Sequence, residues 1–356
     1  MATQPQLDMN KARDAAQTVI GDVGTIVHGA LCYIGDRMGL FKAMANAGPL
    51  TIDALAAKAG LSPRYVREWL GAMAAAHYVE YDDDAKTYLL TPEYAAVLAD
   101  EDSPFFIGSY FQMAQAAVTV APKVAEAFKT GKGVTQAEYP AGFFQAAERN
   151  SRTRYLHKLL RKWIPAMPQV VEVLKAGGVA ADVGCGGGRA AIMIAQAFPK
   201  ARVVGYDIHA ESIERARRNA EAAGVANRVT FEVADGSRLP ERKYDFISTF
   251  DVVHDAVDPV GLMTAIRRAL KDDGTYLVQE VNVSSDLKDN LRPLGKMVYS
   301  VSTLYCMTTS LANGGAGIGV AMGEGKAREI AAQAGFSRFT RLPIKDDFAV
   351  LYELRP

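Results

Sequence analysis

The segment ADVGCGGGRAA, residues 181–191, sits between an apolar run and a helix-like stretch. A glycine loop placed there is the turn of a strand–loop–helix unit, and a strand buried in this way needs parallel neighbours. The neighbours follow in the sequence. VAADVG reads as a strand and Ala190 to Ala197 as a helix; RVVGYD is a strand and Glu211 to Ala223 a helix. VTFEVAD and YDFISTFDVV are strands, Val260 to Leu270 a helix and TYLVQEVNV a strand. Lys326 to Ala334 then reads as a helix and FAVLYELR as a last strand. This alternation predicts an α/β, Rossmann-like domain with a mostly parallel sheet.

The chain is 356 residues long, enough for two domains with a core in each. The expected division is 1–150 and 151–356. In the first part, residues 11–46 read as one or two helices, with Val19, Ile20, Val23, Ile26, Val27, Leu31 and Ile34 at helical spacing. Thr51 is a candidate N-cap, Gly60 a helix end, and Ser62–Pro63 the start of a second helix. Tyr78 to Tyr81 and Thr87 to Leu90 look like two strands around the acidic turn Asp82–Asp83–Asp84. Helix, turn, helix and hairpin in this order resemble a winged helix. Residues 92–170 read as mostly helical, with a loop at 131–143 and a helix from Tyr155 to Trp163.

Lys plus Arg and Asp plus Glu both number 40. The zero net charge speaks against a partner held by phosphate electrostatics. The would-be recognition helix carries only Arg64 and Arg67, and the wing is acidic, so no nucleic-acid partner is expected. Cys32, Cys185 and Cys306 form no CxxC pair, which leaves no disulfide or zinc-ribbon signature. No signal peptide and no run of about 20 apolar residues is read, so the expectation is a cytoplasmic protein without a membrane partner.

The glycine loop has the spacing GxGxG (Gly184, Gly186, Gly188) with Asp182 just before it. An acid there opposes a phosphate and suits a cationic ligand. Asp207 ends the next strand, where a carboxylate can accept from ribose hydroxyls. Asp235 ends the third, where it can accept from an adenine amino group. Cys185, Ile208, Gly236, Phe250 and Asp251 flank these strand tips and complete the candidate cofactor set. The constellation resembles the motifs of class I methyltransferases. That resemblance implies a seven-stranded sheet, S-adenosyl-L-methionine as methyl donor with S-adenosyl-L-homocysteine as product, and no metal.

FDVVHD then places His254 after the fourth strand, and GTYLVQE ends the next strand at Glu280. A neutral imidazole can take a hydroxyl proton, and a carboxylate can orient it. The pair resembles the base and its flanking acid in small-molecule O-methyltransferases. The resemblance also implies a second acid before the last helix, loosely matched by Glu324. Ala256 and Phe250 depart from the plant enzymes, which have Trp and Lys there. The closer resemblance is to a bacterial group with an N-terminal winged helix, known from mycobacteria among others.

On the substrate side, residues 283–325 interrupt the strand–helix rhythm like a lid, with Leu291, Met297, Tyr299, Tyr305, Cys306 and Met307 before the glycine-rich NGGAGIG. Met and aromatic residues suit an adaptable apolar pocket. Tyr110, Phe111, Phe143 and Phe144 are candidates to close it. His28, Phe144, Met297 and Tyr305 form the candidate substrate set; His77, His157 and His209 rank below them. The expected activity is methyl transfer to a small molecule, with O-methylation favoured by the His–Glu pair. Transfer to carbon, nitrogen or sulfur by proximity remains open, as does a winged-helix regulator with an S-adenosylmethionine sensor. A homodimer through the N-terminal domain is expected from the family.

Overall fold

Local capping chemistry sets the first elements of the structure, a computed structural model that describes residues 7–356. Helix α1 (Met9–Arg37) starts at Asp8, whose carboxylate accepts from the N–H groups of Asn10 and Lys11. It ends before Gly39, which turns left-handed (φ 71°) into α2 (Leu40–Met44). Thr51 caps α3 (Ile52–Ala59) by accepting from the Ala54 N–H, and left-handed Gly60 closes it. Helix α4 (Pro63–Ala75) follows, then the antiparallel strands β1 (Glu80–Asp82) and β2 (Thr87–Leu89), then α5 (Pro92–Leu98).

Trp69, Leu70, Met73, Phe41 and Leu55 fill the core between these helices. The Trp69 indole N–H donates to the Leu31 carbonyl, which ties α4 to α1. The hairpin begins two residues later than the alternation predicts. His77 adopts φ 58° on leaving α4, and Tyr78 is taken up in stacking on Tyr94 before pairing starts.

Helix α1 corrects one expectation. Its 29 residues are long and apolar enough, by length and composition alone, to cross a membrane, although Asp22 lies near its middle. Val19, Ile20, Val23, Ile26 and Val27 lie on one face and are 55–73% exposed. The apolar residues were scattered at helical spacing, so no contiguous run announced them.

The chain divides into two units, Met1–Gln115 and Ala116–Pro356. Helix α6 (Ser109–Val118) runs across that boundary. The boundary lies earlier than the expected position near 150, because α7 (Ala121–Thr130) and α8 (Ala141–Arg154) pack with the second unit. Glu148 of α8 makes the clearest link, described below. Tyr155–Trp163 continues α8 in wider, π-helical turns and α9 (Pro168–Ala176) leads into the sheet.

Seven strands form that sheet: β3 (Val179–Val183), β4 (Arg202–Asp207), β5 (Val229–Val233), β6 (Tyr244–Phe250), β7 (Leu270–Val281), β8 (Arg338–Arg341) and β9 (Ala349–Arg355). Their order is β5-β4-β3-β6-β7-β9-β8, parallel from β5 to β7 and with β9 antiparallel to both of its neighbours. Helices α10 (Arg189–Ala197), α11 (Ala210–Ala222) and α12 (Pro259–Ala269) are the crossovers. Helices α13 (Pro293–Val301) and α14 (Met307–Ala312) fill the segment expected as a lid, and α15 (Gly323–Gln333) precedes β8.

Strand β8 escaped the sequence reading. It is a four-residue edge strand with Arg at both ends and little burial, so it carries no hydrophobic alternation.

One face of the sheet packs Leu159, Trp163, Ile192, Phe246, Leu277 and Leu351; the other packs Tyr244, Ile247, Tyr276, Met263 and Ile330. The strand order reverses between β3 and β6, where Asp182 lies opposite Ser248. Open α/β sheets bind ligands beyond the strand ends at such a point.

Trp163 is fully buried, yet its indole Nε1 has no acceptor among the described residues. Trp163→Ala should therefore cost about 3–5 kcal/mol from the cavity it leaves. Trp163→Phe should cost far less, because it deletes an unsatisfied N–H. Urea unfolding of the two variants checks this; equal losses would refute it.

Candidate active site

The glycine loop consumes its own donors. The N–H groups of Gly184 and Cys185 both donate to the Tyr206 carbonyl (2.8 and 3.0 Å), and the Gly188 N–H donates to Cys185 O (2.9 Å). The Gly186 N–H donates to Asp207 Oδ2 at 2.8 Å. No row of free amides is left here to cradle a phosphate, as an anion-binding nest requires. Gly186 holds φ 52°, and a Cβ there would meet nothing within 4 Å, so the loop presents open space above itself. Gly184 and Gly188 are confined instead: a Cβ would lie 2.4 Å from Val252 or 2.5 Å from Phe231.

Two carboxylates lie at this end of the sheet. Asp182 is only 2% exposed, and its Oδ1 accepts from the Ser248 hydroxyl at 3.2 Å. Burial, reinforced by the charge of Asp207, pushes its carboxyl up to about 7. Asp207 accepts from Gly186 and, through Oδ1, from the His209 N–H at 2.8 Å. Burial raises this carboxyl too, against the backbone hydrogen bonds that favour its charged form. Each oxygen of Asp207 keeps a second lone pair for a ligand hydroxyl.

Beyond Asp207, Ile208 is 63% exposed, and Val233, which pairs with Asp207 across β4 and β5, is 52% exposed. Together they offer apolar surface beside the acids. Asp235 is exposed and accepts from the Ser237 N–H (3.0 Å), while Gly236 is buried against Leu262 and Val183. Acids, glycine backbone and exposed apolar side chains fit an adenosyl group carrying a cationic amino acid. A pyrophosphate would find the amides of Gly184, Cys185, Gly186 and Gly188 already spent and the nearby Arg189 and Arg215 already paired with Glu148.

Cys185 is partly buried, and burial lifts its thiol well above the ordinary range. Phe250 is buried on the core side, stacked on Trp163 (5.8 Å) and close to Tyr155 (5.0 Å). Asp251, at φ 56°, pairs with Arg154 (2.8 Å) and accepts from the Gln279 amide (2.8 Å).

His254 follows β6 in a short turn, Val253–Asp255, and is 3% exposed. Its Nδ1 is hydrogen-bonded to Glu280 Oε2. The other oxygen of Glu280 accepts from the Val253 N–H at 3.1 Å, so one carboxylate grips both the ring and the backbone of the turn. Burial alone would depress the imidazole, but Glu280 and Asp255 outweigh it and hold His254 well above its usual value. Burial raises Glu280 despite the imidazole beside it. Val252 touches Gly184 at the position a Cβ would fill, so this turn and the glycine loop are in contact.

Glu324, the loosely matched second acid, is engaged elsewhere, by Arg328 (2.8 Å) and Arg341 (3.0 Å). Facing the outer nitrogen of His254 are groups that sequence spacing did not connect with it. Asp255 Oδ1 lies 3.1 Å from Nε2, and the Cys306 thiol belongs to the same cluster.

Aromatic side chains line the neighbouring surface. Tyr305 stacks near Phe143 (4.3 Å) and meets Tyr139 edge-on (5.1 Å); Phe144 stacks on His209 (4.6 Å). The Gln136 amide donates to the Tyr305 hydroxyl, and Tyr139 donates to the Leu304 carbonyl. Gly133 passes so close to α14 that a Cβ would sit 1.7 Å from Thr308 O. The segment expected as a lid is fastened to the turn that carries His254 as well: the Ser310 hydroxyl donates to Ala256 O and the Ala316 N–H to Val257 O, both at 3.1 Å.

Met297 lies on α13 and is 38% exposed. His28 belongs to the first unit, where it meets Tyr78 edge-on and contacts Cys32; burial lowers its pKa. Tyr110 and Phe111 also lie in that unit.

Residues 174–340 match the family described as a methyltransferase domain, and residues 27–100 match the Rv2258c-like winged HTH domain. The 27-O-demethylrifamycin SV methyltransferase of Amycolatopsis mediterranei is 30% identical over 140 residues, 37% of this chain and 51% of that protein. The sterol 24-C-methyltransferase erg6 of Aspergillus fumigatus is 34% identical over 122 residues, 34% and 32% of the two chains. The chain thus spans about a third to a half of the length of these curated relatives.

Among solved structures, human N-acetylserotonin methyltransferase in complex with SAM superposes with a TM-score of 0.72 at 18% identity, covering 100% of this chain and 99% of that one. CalO1, a methyltransferase of calicheamicin biosynthesis in its SAH-bound form, gives 0.66 at 20% identity over 99% and 100%. At these identities the likeness establishes the fold.

Glu148 is a residue that the sequence reading did not single out. It accepts from Arg189 (2.9 Å), Arg215 (3.1 Å) and Asn219 (2.9 Å), and the Asn219 amide also donates to Gly187 O. One carboxylate therefore clamps α8 to α10 and α11 over the glycine loop. Glu148→Ala, which strands both guanidinium groups, should lower stability by about 2 kcal/mol. Denaturant midpoints check this; an unchanged midpoint would remove the clamp.

Proposed function

We propose that this chain, in which a methyltransferase domain follows an Rv2258c-like winged helix-turn-helix domain, transfers a methyl group from S-adenosylmethionine to a hydroxyl of a small aromatic acceptor. The observation that carries the reading is the buried His254–Glu280 pair beside the glycine loop. The curated relatives include enzymes named for O- and for C-methylation, so family likeness leaves the acceptor atom open. A buried imidazole backed by a carboxylate suits an acceptor that must lose a proton.

Asp207 would accept from the ribose hydroxyls, Ile208 and Val233 would pack on adenine with Asp235 at its amino group, and Asp182 would offset the positive charge. S-Adenosylmethionine, when bound, supplies an electrophilic methyl group on a sulfonium. Glu280 keeps the proton of His254 on Nδ1, which leaves the Nε2 lone pair to take the acceptor's proton. Tyr305 and Phe144, both half-buried, would offer ring faces to an aromatic acceptor, with Phe143 packed behind Tyr305 and Met297 as an adaptable neighbour.

The first unit serves as the partner surface in this reading. The apolar face of α1 suits a second copy of the chain, giving a homodimer, and Asp22 makes a membrane span costly. Its wing carries Asp82, Asp83 and Asp84, which repel phosphate, so nucleic acid is not the partner. A cytoplasmic, small-molecule enzyme is the corresponding setting.

His254→Ala should lower kcat by about 10²–10⁴ while cofactor affinity changes little. Full turnover in that variant would leave proximity as the mechanism. The base works only when neutral, and its pKa is raised, so activity should fall with decreasing pH along a limb centred above 6.5. In Glu280→Gln the larger of the two charges that raise the imidazole is lost, and its pKa drops although Asp255 remains. The acidic limb should then move to lower pH while the plateau rate decreases. A limb that stays in place would show that another group titrates.

Asp182 generates a separate expectation. Its raised carboxyl is ionised above about 7 and neutral below, and a cationic ligand favours the ionised form. Affinity for S-adenosylmethionine should weaken as pH falls below 7, by up to about tenfold per pH unit, and level off above it. Calorimetric titration at several pH values tests this. Asp182→Asn should bind more weakly and show a flat profile; an unchanged profile would detach Asp182 from the cofactor.

A further inference from the structure

We infer that the outer nitrogen of His254, the Asp255 carboxylate and the Cys306 thiol form an inhibitory binding site for a thiophilic divalent cation such as Zn²⁺. His254 Nε2, one Asp255 oxygen and Cys306 Sγ lie within 4.8 Å of one another, an N, O, S set that a tetrahedral ion accepts. His254 and Cys306 are buried, and Asp255, a quarter exposed, gives the cluster its access to water.

Two further observations point to a ligand here. Asp255 Oδ1 is buried, lies 3.1 Å from Nε2, and acts on both the imidazole and the Cys306 thiol, so the three side chains already face one another. His254 also has the orientation of a metal ligand: Nδ1 is tied to a carboxylate, which fixes the tautomer that leaves Nε2 free to coordinate. Glu280 thus prepares the same lone pair for a proton or for a cation. The ion would enter with loss to solvent of one proton from the Cys306 thiol and, where the imidazole is protonated, of a second from Nε2, whose freed lone pair would become the metal bond. Turnover stops because the base is occupied, with no change in cofactor binding required. The inhibitory consequence rests on His254 being the base; the binding site itself does not.

The test uses the full chain with Co²⁺ and Zn²⁺ as the probes. Co²⁺ should bind at one ion per chain and develop a thiolate-to-metal absorption that Zn²⁺ displaces. Cys306→Ala should lose that absorption. Measured against its own rate in chelator-treated buffer, whatever that rate is, it should need about tenfold or more Zn²⁺ for half inhibition. Cys306→Ser preserves the side-chain volume and should behave alike if the alanine variant folds poorly.

Persistence of the absorption in Cys306→Ala, as Cys32 or Cys185 binding would produce, overturns the proposal. So does equal Zn²⁺ sensitivity of wild type and variant. The two readings fail separately: active His254→Ala removes the base while the Co²⁺ signal stands, and absent Co²⁺ binding with inactive His254→Ala removes only the metal site.

Discussion

A carboxylate buried at the end of the fifth parallel strand is the constraint around which the catalytic end is built. Glu280 lies on β7 in the interior of the sheet, paired with Val350 of β9. Burying an ionised carboxylate without partners is prohibitive. Here the Val253 N–H and the His254 ring meet both oxygens. The turn after β6 must therefore bend back over β7, and the positive φ of Asp251 makes that bend. From the turn, Ala256 and Val257 reach the lid through Ser310 and Ala316. His254, Glu280 and the helices over the turn are thus one mechanically connected unit, and loss of Glu280 would disturb the geometry of all three.

The cofactor end follows a different logic. Its loop satisfies its own amides and leaves acceptors and apolar surface exposed. This distinguishes it from dinucleotide loops at the level of hydrogen bonding, beyond the count of glycines. Asp182 stands at the reversal of strand order with a hydroxyl as its side-chain partner, and burial makes its carboxyl hard to ionise. Glu148 supplies the opposite service from outside the sheet, neutralising Arg189 and Arg215 so that neither guanidinium competes for the acids of the loop.

The parallel strands were legible because each is a short apolar run ending in a glycine or an acid, and the order of those tips carries the topology. The same rule exposed Asp182, Asp207, Asp235, His254 and Glu280 as candidates. It could not find β8, an edge strand with Arg at both ends, or the π-helical stretch after α8, whose widened turns leave no periodic mark distinct from an α-helix. The closeness of Cys306 to His254 was equally hidden. Cys306 is 52 positions from His254 and reaches it only because the lid helices return over the turn. Glu148 lies far from the glycine loop in sequence, and nothing local in α8 marks it as a clamp.

This difference explains why the donor side of the chemistry reads more clearly than the acceptor side. A methyl donor of fixed structure meets strand ends, whose spacing is dictated by the sheet and repeats in sequence order. The acceptor surface proposed above lies on α8, α13 and the turns before α14, contributed by segments about 150 residues apart. Tyr139, Phe143 and Tyr305 form one aromatic cluster only after those segments fold together. The ring faces suit a flat acceptor, while Met297 and the helical lid can be exchanged without touching Glu280. In the proposed reading these helices set acceptor choice, and the His254–Glu280 pair restricts it only by requiring a proton to remove.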